Sequence, residues 1–194
     1  MLREDPEGDY IGEFAYDGRD YEYRVRGYGK PVLITASISS RTGSYAWRYL
    51  FECLSGIYFV YSLDVESLYK TADEVGPLHY ARLIEAFLRE IVGARSSIVS
   101  GDIEYAAVAA AAREARALVK RVVFICPGGI GGYRLRGSTV AKDIAKLVGV
   151  PVPEKLRSMV QGPGPCTSRW LRAGAMPGDK SATRVCDDVM RLLG

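Results

Sequence analysis

The chain of 194 residues is long enough for one domain that buries about 70% of the surface of its unfolded chain, and a single α/β domain is the default. Apolar residues make up 48% of the composition, and no apolar run approaches the roughly 20 residues that cross a bilayer, which excludes a membrane-spanning protein. The first residues are acidic and polar, unlike a secretory signal, so we expect a cytoplasmic protein.

The formal net charge of +3 is spread unevenly along the chain. Residues 128–194 carry 11 basic and 5 acidic side chains, whereas residues 1–127 carry 15 basic and 18 acidic ones. A solvated helical face explains this bias better than a nucleic-acid site, because aromatic residues of the RNA-binding type are not interleaved with the basic ones. Association with nucleic acid is therefore the least favoured of the functions considered.

The cysteine and amide content indicates whether the protein binds a metal and whether its source is thermophilic. Cys53, Cys126, Cys166 and Cys186 show no C-x-x-C spacing and are accompanied by a single histidine, so we predict neither a metal site nor a cofactor. Asparagine is absent, the only glutamine is Gln161, and arginine outnumbers lysine, a composition typical of hyperthermophile proteins. A thermophilic source would permit an intracellular disulfide, for which Cys166 and Cys186 are the candidates.

The first two thirds of the chain predict a sheet with alternating helices. Residues 10–16 and 20–26 alternate aromatic and charged side chains around Asp17-Gly18, the strongest short-range signal for a β-hairpin. Apolar runs and helical periodicity then predict, in order, strand 31–36, a helix from about 45 to 55, strand 57–63, helix 78–91 with Gly93 as its C-cap, strand 96–100, helix 103–117 and strand 122–126. This alternation implies right-handed βαβ crossovers, so we expect an α/β fold with about six strands, mostly parallel, flanked by helices.

The chain changes character after Pro127. Glycines dominate residues 128–132, and we identify no later segment as a buried strand. Helices are expected in four short stretches, at 138–148, 153–160, 166–173 and 182–193. We therefore divide the chain into a core, residues 1–127, and a basic helical segment, residues 128–194, packed on the same domain.

Several pieces of the core, taken in order, resemble the α/β-hydrolase superfamily, specifically its esterase-like and epoxide-hydrolase-like members. The similar pieces are GKPVLI at 29–34, SYAWR at 44–48, VYSLD at 60–64 and LVKRVVFI at 118–125, which resemble the third strand, the first large helix, the fourth strand end and the approach to strand six. The resemblance covers about residues 24–132 and implies an α/β-hydrolase-like fold in which the basic tail takes the place of a helical cap.

The resemblance also implies where an active site would lie. The family's G-x-S-x-G turn falls on residues 100–104, SGDIE, and places Asp102 in the nucleophile position. Haloalkane dehalogenases and epoxide hydrolases of this superfamily use an aspartate that forms an ester intermediate. Glu104 stands where glycine is usual and is the candidate base, while Ser37 and Ile103 occupy the oxyanion region.

Other parts of the family's machinery are missing from the sequence. In these enzymes a histidine near the carboxy terminus deprotonates the hydrolytic water, whereas the only histidine here is His79, which we interpret as a residue at the start of a helix. Ala36-Ser37 replace the family's histidine–glycine dipeptide, and the chain ends before the family's last two strands. The acids of the tail define no triad without a base and are interpreted as surface carboxylates: Asp143, Asp179, Asp187 and Asp188.

These departures favour a degenerate α/β-hydrolase that has lost hydrolytic activity and acts in binding, for example of a small-molecule ligand, or in assembly. The alternative is a hydrolase of esters, epoxides or haloalkanes with Asp102 as nucleophile and Glu104 or a partner chain as base. In either case the strand from Val122 to Cys126 would be a sheet edge. We predict that the basic helical tail covers this edge or that two chains pair along it as a homodimer.

Overall fold

The structure is a computed structural model that describes residues 2–36, 38, 45–64, 77–101, 105–126, 167–172 and 179–194. Its strands and helices are, in chain order, β1 (Arg3–Glu4), β2 (Tyr10–Tyr16), β3 (Arg19–Gly27), β4 (Lys30–Ile34), α1 (Tyr45–Ser55), β5 (Tyr58–Leu63), α2 (Pro77–Phe87), a π-helical turn (Leu88–Val92), β6 (Ser96–Gly101), α3 (Tyr105–Glu114), β7 (Val119–Cys126), β8 (Thr167–Arg172) and α4 (Asp179–Leu193). The strands form one mixed sheet in the order β1-β2-β3-β5-β4-β6-β7-β8.

The N-terminal part of the sheet is the predicted antiparallel hairpin. β2 and β3 pair on either side of Asp17 and Gly18, whose φ angles of 52° and 73° are those that a type I′ turn requires. Every second residue of the hairpin faces the core, among them Tyr21, Tyr23 and Val25. The alternation of aromatic and charged residues in the sequence is therefore the alternation between the core face and the solvent face.

The rest of the sheet is parallel. β3 pairs antiparallel with β5, and β5, β4, β6, β7 and β8 then run in one direction. This confirms the expected α/β fold with a mostly parallel sheet and an N-terminal antiparallel hairpin. The described part of the chain contains eight strands rather than about six, because β1 and β8 were not predicted.

The central strands are buried on both faces. Leu33 and Ile98 pack on the side of α2 and α3, whereas Ile34 and Val99 pack on the side of α1 and α4, and none of the four has exposed surface. A continuous apolar run is what such a strand needs, because successive side chains point to opposite faces. The two faces of the sheet thus carry separate hydrophobic clusters.

The helix after β5 ends as predicted. Helix α2 passes into the π-helical turn, and Gly93 closes it with a φ of 61° and a hydrogen bond of 3.0 Å from its N–H to the carbonyl oxygen of Leu88. Gly93 is therefore the C-cap that its position indicated. None of the helices in the described ranges is long and apolar enough to cross a membrane.

The tail contains a strand where a helix was expected. Residues 166–173 were predicted to be helical, but Thr167–Arg172 form β8, which pairs parallel with β7 along its whole length. The prediction of a helix at 166–173 is therefore wrong. The polar sequence TSRWLR gave no sign of burial, but an outer strand needs only a neighbour with free backbone groups, which β7 supplies.

The pairing of β8 also corrects the expected sheet edge. β7 is hydrogen-bonded to β6 on one side and to β8 on the other, so Val122–Cys126 is not a free edge along which a second chain could pair. Of the two predicted arrangements, the tail covers this edge, and it does so with a strand rather than with a helix. The helices expected at 138–148 and 153–160 lie outside the described residues.

The C-terminal helix α4 includes the helix predicted for 182–193 and packs on the face of the sheet that α1 covers. Its residues Cys186, Val189 and Leu193 are buried there. Cys186 forms a disulfide with Cys53 of α1, with the two Cα atoms 6.6 Å apart. The pairing of Cys186 with Cys166 is therefore wrong; the packing of α1 against α4 selects the partner, across a sequence separation of 133 residues.

Candidate functional site

The ends of β4 and β6 lie side by side at the carboxyl edge of the sheet. The two strands are parallel neighbours with Ile34 opposite Val99, and the N–H of Thr35 donates to the carbonyl oxygen of Val99 at 3.2 Å. In open α/β sheets this edge is where ligands bind. The two segments that the resemblance assigns to the oxyanion region and to the nucleophile therefore leave the sheet next to each other.

Buried hydroxyl groups join these strand ends. The hydroxyl of Thr35 donates to that of Ser100 at 2.8 Å, Ser100 donates to the carbonyl oxygen of Gly101 at 3.3 Å, and both side chains have no exposed surface. On the other side of β4, Ser62 donates to the carbonyl oxygen of Ala36 at 3.1 Å. Polar side chains satisfied in this way fix the positions of three neighbouring strand ends without access to water.

The predicted turn is flanked by the expected elements. β6 ends at Gly101 and α3 begins at Tyr105, so three residues connect the strand to the helix. The helix starts two residues later than the predicted Ile103 and ends at Glu114. The predicted site residues themselves, namely Asp102, Ile103, Glu104 and Ser37, lie outside the described residues.

The only histidine lies far from this turn. His79 is in the first turn of α2, where its Nδ1 is 3.5 Å from Oδ2 of Asp17 and its Nε2 is 3.4 Å from the hydroxyl of Tyr21. Tyr21 belongs to β3, which is three strands away from β6, a distance on the order of 14 Å at the usual strand spacing. A general base must come within about 3 Å of its proton, so His79 does not serve the end of β6.

A cavity of about 530 Å³ opens beside this histidine. It lies between the hairpin turn and the start of α2, and the described residues that line it are Tyr16, Asp17, Leu78, His79 and Arg82. Burial raises the pKa of the Tyr16 phenol, the Asp17 carboxylate raises it further, and the Arg82 guanidinium opposes them. Sequence analysis missed this site, because its two halves are about 60 residues apart and meet only through the crossover from β5 to α2.

An acidic group near the N-terminus has the composition of a metal site. Carboxylate oxygens of Asp5, Glu7 and Asp9 lie within 4.8 Å of one another. The Asp5 carboxylate accepts hydrogen bonds of 2.9 Å from the N–H groups of Glu7 and Asp9, and Gly8 completes the turn with a φ of 79°. A hard cation such as Ca²⁺ takes oxygen ligands of this kind.

Arginines already occupy these carboxylates. Asp9 has no exposed surface, and it contacts the guanidinium groups of Arg24 at 3.6 Å, of Arg26 at 3.4 Å and of Arg48. Arg24 also contacts Asp5. Because these arginines supply the positive charge that a cation would bring, the cluster is an ion-pair network that ties the N-terminal segment to β3 and α1.

Comparison with known proteins identifies the fold. No protein-family model matches the chain, and a search of curated protein sequences finds no significant similarity. Among solved structures, Cfl2 from Burkholderia cenocepacia is 18% identical with a TM-score of 0.54, and the match covers 84% of this chain and 58% of Cfl2. A serine hydrolase involved in carbazole degradation, the CarC enzyme, is 16% identical with a TM-score of 0.52, over 94% of this chain and 69% of the enzyme.

The carboxylesterase CesB from Bacillus subtilis is a more distant match, 12% identical with a TM-score of 0.50, over 62% of this chain and 44% of the esterase. The chain thus spans between about two fifths and two thirds of the length of these three structures. Sequence identities below 20% relate the folds alone. They confirm that this chain resembles the α/β-hydrolase superfamily in the arrangement of its sheet and helices.

Proposed function

We propose that this chain is an α/β-hydrolase-fold protein that acts by binding rather than by hydrolysis. The position of the only histidine carries the proposal. His79 contacts Asp17 and Tyr21 beside the hairpin, three strands away from the end of β6, where the resemblance locates the nucleophile. A covalent intermediate at Asp102 would need a base near that strand end to activate water, and this histidine does not supply one.

A panel of ester, epoxide and haloalkane substrates tests this proposal. The purified protein and its Asp102→Ala variant are compared under identical conditions, with His79→Gln as the matched control for a histidine remote from the turn. We expect no turnover above that of Asp102→Ala. Turnover that Asp102→Ala abolishes, and that His79→Gln leaves unchanged, would overturn the proposal and establish a base other than His79.

A hydrolase with Asp102 as nucleophile is the second candidate, and the geometry beside the turn favours it. A strand end, a three-residue connection and a helix follow one another at Gly101 and Tyr105, and the buried bond between Thr35 and Ser100 aligns this strand end with that of β4. The Asp102 carboxylate would attack a carbon of the substrate and expel a halide or open an epoxide, which leaves an ester on the protein. Glu104 or a partner chain would then be the base.

Mass spectrometry distinguishes this candidate from the first. After incubation with an epoxide or a haloalkane, the hydrolase mechanism predicts a covalent adduct on the peptide that contains Asp102, and a longer-lived adduct in Glu104→Gln because hydrolysis of the ester is slowed. Asp102→Asn is the control that should carry no adduct. An unmodified peptide across the whole substrate panel would contradict a nucleophilic Asp102 and agree with the binding function.

A further inference from the structure

We propose that the cavity between the hairpin turn and the start of α2 binds a small zwitterion, an α-amino acid with an apolar side chain. In this arrangement Asp17 binds the ammonium group, Arg82 binds the carboxylate, and Tyr16 and Leu78 contact the apolar part. The inference goes beyond the proposed function, because the cavity is separate from the end of β6 and a protein with or without hydrolytic activity could use it.

The cavity has the size and lining of a small-molecule site. Its volume of about 530 Å³ lies within the usual range for ligand pockets, about 300–1,000 Å³. Tyr16 and Leu78 give it apolar surface, and the Leu78 side chain is 47% exposed, so it is accessible to a ligand. An aromatic ring and an aliphatic side chain around two charged groups are the composition expected for recognition of an amphipathic small molecule.

Two opposite charges face the cavity without neutralising each other. The Asp17 side chain is 70% exposed, and its Oδ2 is 3.5 Å from Nδ1 of His79. Arg82 forms no ion pair or hydrogen bond with any other residue in the described ranges, and the nearest acid on its own helix, Glu85, accepts bonds of 2.9 Å and 3.1 Å from Arg89.

This pair of charges selects the class of ligand. A simple anion attracted by Arg82 would be repelled by Asp17, and a simple cation attracted by Asp17 would be repelled by Arg82. A molecule that carries both charges satisfies both residues at once. Asp17 and Arg82 both line this one cavity together with Tyr16, so a small ligand within it can contact both charges.

The histidine fixes one wall of the cavity. The His79 ring is held between Asp17 and Tyr21 by contacts of 3.5 Å and 3.4 Å, and it packs edge-on against Tyr16 with ring centroids 5.6 Å apart. Asp17 itself is held in a tight turn by the hairpin register. A site whose side chains are already positioned loses less conformational entropy when a ligand binds.

Calorimetry with three matched probes tests the inference. L-phenylalanine carries both charges, 3-phenylpropionate lacks the amine, and 2-phenylethylamine lacks the carboxylate. We expect L-phenylalanine to bind at least 10-fold more tightly than either of the other two at neutral pH. Absence of binding by L-phenylalanine, or equal affinity for 3-phenylpropionate, would overturn the proposal, and the second result would identify a site for simple anions.

Variants of the two charged residues test it from the side of the protein. Arg82→Gln and Asp17→Asn should each weaken the binding of L-phenylalanine at least 10-fold. The control variants Arg95→Gln and Asp20→Asn replace exposed residues outside the cavity and should leave the affinity unchanged. Asparagine tolerates the positive φ of the turn, so Asp17→Asn retains the hairpin. Unchanged affinity in Arg82→Gln and Asp17→Asn would overturn the site even if the wild-type protein binds the amino acid elsewhere.

Discussion

At the scale of single residues, the buried hydroxyl pair of Thr35 and Ser100 is the link between the two strand ends of the candidate site. The hydrogen bond of 2.8 Å joins β4 to β6 one residue beyond the last paired positions that the strands share, Ile34 and Val99. Neither hydroxyl is exposed to water that could replace a lost partner. Removal of Ser100 therefore costs more than the bond itself, because the Thr35 hydroxyl loses this acceptor in a dry environment, whereas Ser100 keeps its bond to the carbonyl oxygen of Gly101 when Thr35 is replaced.

A double-mutant cycle measures this coupling. Thr35→Val, which keeps the shape of the side chain, should lower the free energy of unfolding by about 0.5–1.5 kcal/mol, the range for loss of one neutral hydrogen bond. The double variant Thr35→Val/Ser100→Ala should lose less than the sum of the two single variants, because the one hydrogen bond that they share can be lost only once. Urea unfolding provides the measurement, and strictly additive losses would show that the two groups do not depend on each other.

The Asp5 carboxylate is a second residue whose ionisation supports the fold. Burial acts to raise its pKa, but the N–H groups of Asp9 and Glu7 and the guanidinium of Arg24 outweigh burial and hold the pKa below the ordinary value of 3.8. A carboxylate with a lowered pKa in the folded state stabilises the protein above its unfolded pKa. That contribution disappears as the pH falls through the folded pKa.

Asp5→Asn should therefore lower the free energy of unfolding by about 1.5–3 kcal/mol at pH 7, the range for hydrogen bonds to a charged group. The difference between wild type and variant should shrink as the pH falls below 4, since the Asp5 carboxyl of the unfolded chain is then protonated first and that of the folded chain at lower pH. Chemical unfolding at pH 7, 4 and 3 tests this, with the exposed Asp20→Asn as control. A difference that stays constant over this range would show that the charge of Asp5 is not responsible.

The sequence predicted the elements around His79 but not its contacts. Its place in the first turn of a helix followed from the periodicity of Leu83 and Phe87, and it is confirmed. Its distances to Asp17 and Tyr21 depend on how the crossover helix lies on the hairpin, which local patterns do not contain. The same limit applies to Arg82. In the sequence it is an ordinary exposed helical residue, and only the fold shows that it faces the hairpin turn.

At the scale of elements, the outer strands were the features that the sequence did not reveal. The buried strands were predicted from their apolar runs, because both faces of each strand pack against side chains of the helices. Within the described ranges, β1 and β8 are short, polar strands that pair on one side, so their structure comes from the backbone groups of a neighbour rather than from their own residues. Hydrophobic periodicity therefore predicts the interior of a sheet better than its margins.

A polar contact joins helix α4 to the sheet in addition to its buried apolar residues. Arg121 of β7 donates from Nη1 to the carbonyl oxygen of Leu192 at 2.9 Å. The last carbonyls of a helix lack partners within the helix and carry partial negative charge, so a guanidinium placed there is favourable on both counts.

Arg121→Gln should lower the free energy of unfolding by about 0.5–2 kcal/mol and should increase hydrogen exchange in the last turn of α4 more than elsewhere. Lys120→Gln, one residue earlier on the same strand, is the control for the loss of a positive charge. Hydrogen exchange followed by mass spectrometry locates the effect. Equal destabilisation by both variants, spread over the whole chain, would show that the contact with Leu192 is not specific.

At the scale of the whole molecule, the sequence predicted the parallel strands and the hairpin. It did not predict that the tail would add a strand to the sheet and a helix that a disulfide links to α1. The arrangement of α4 over α1 brings Cys186 to Cys53 and so encloses most of the chain in one covalent loop. Four cysteines allow several pairings, and only the packing of the two helices decides among them. The loop contains the strands β5 to β8 and the helices between them, so the disulfide restricts about two thirds of the unfolded chain.

This covalent loop predicts a large effect of reduction. A closed loop of 133 residues lowers the entropy of the unfolded chain by an amount equivalent to about 5 kcal/mol at 25 °C, so a reductant should lower the free energy of unfolding by several kcal/mol. Cys53→Ala/Cys186→Ala should show the same loss without reductant and no further change when reductant is added. Thermal unfolding with and without reductant measures both. Non-reducing peptide mapping should recover Cys53 linked to Cys186; a peptide that links Cys166 to Cys186 would contradict the packing of α4 on α1, because one thiol cannot satisfy both arrangements.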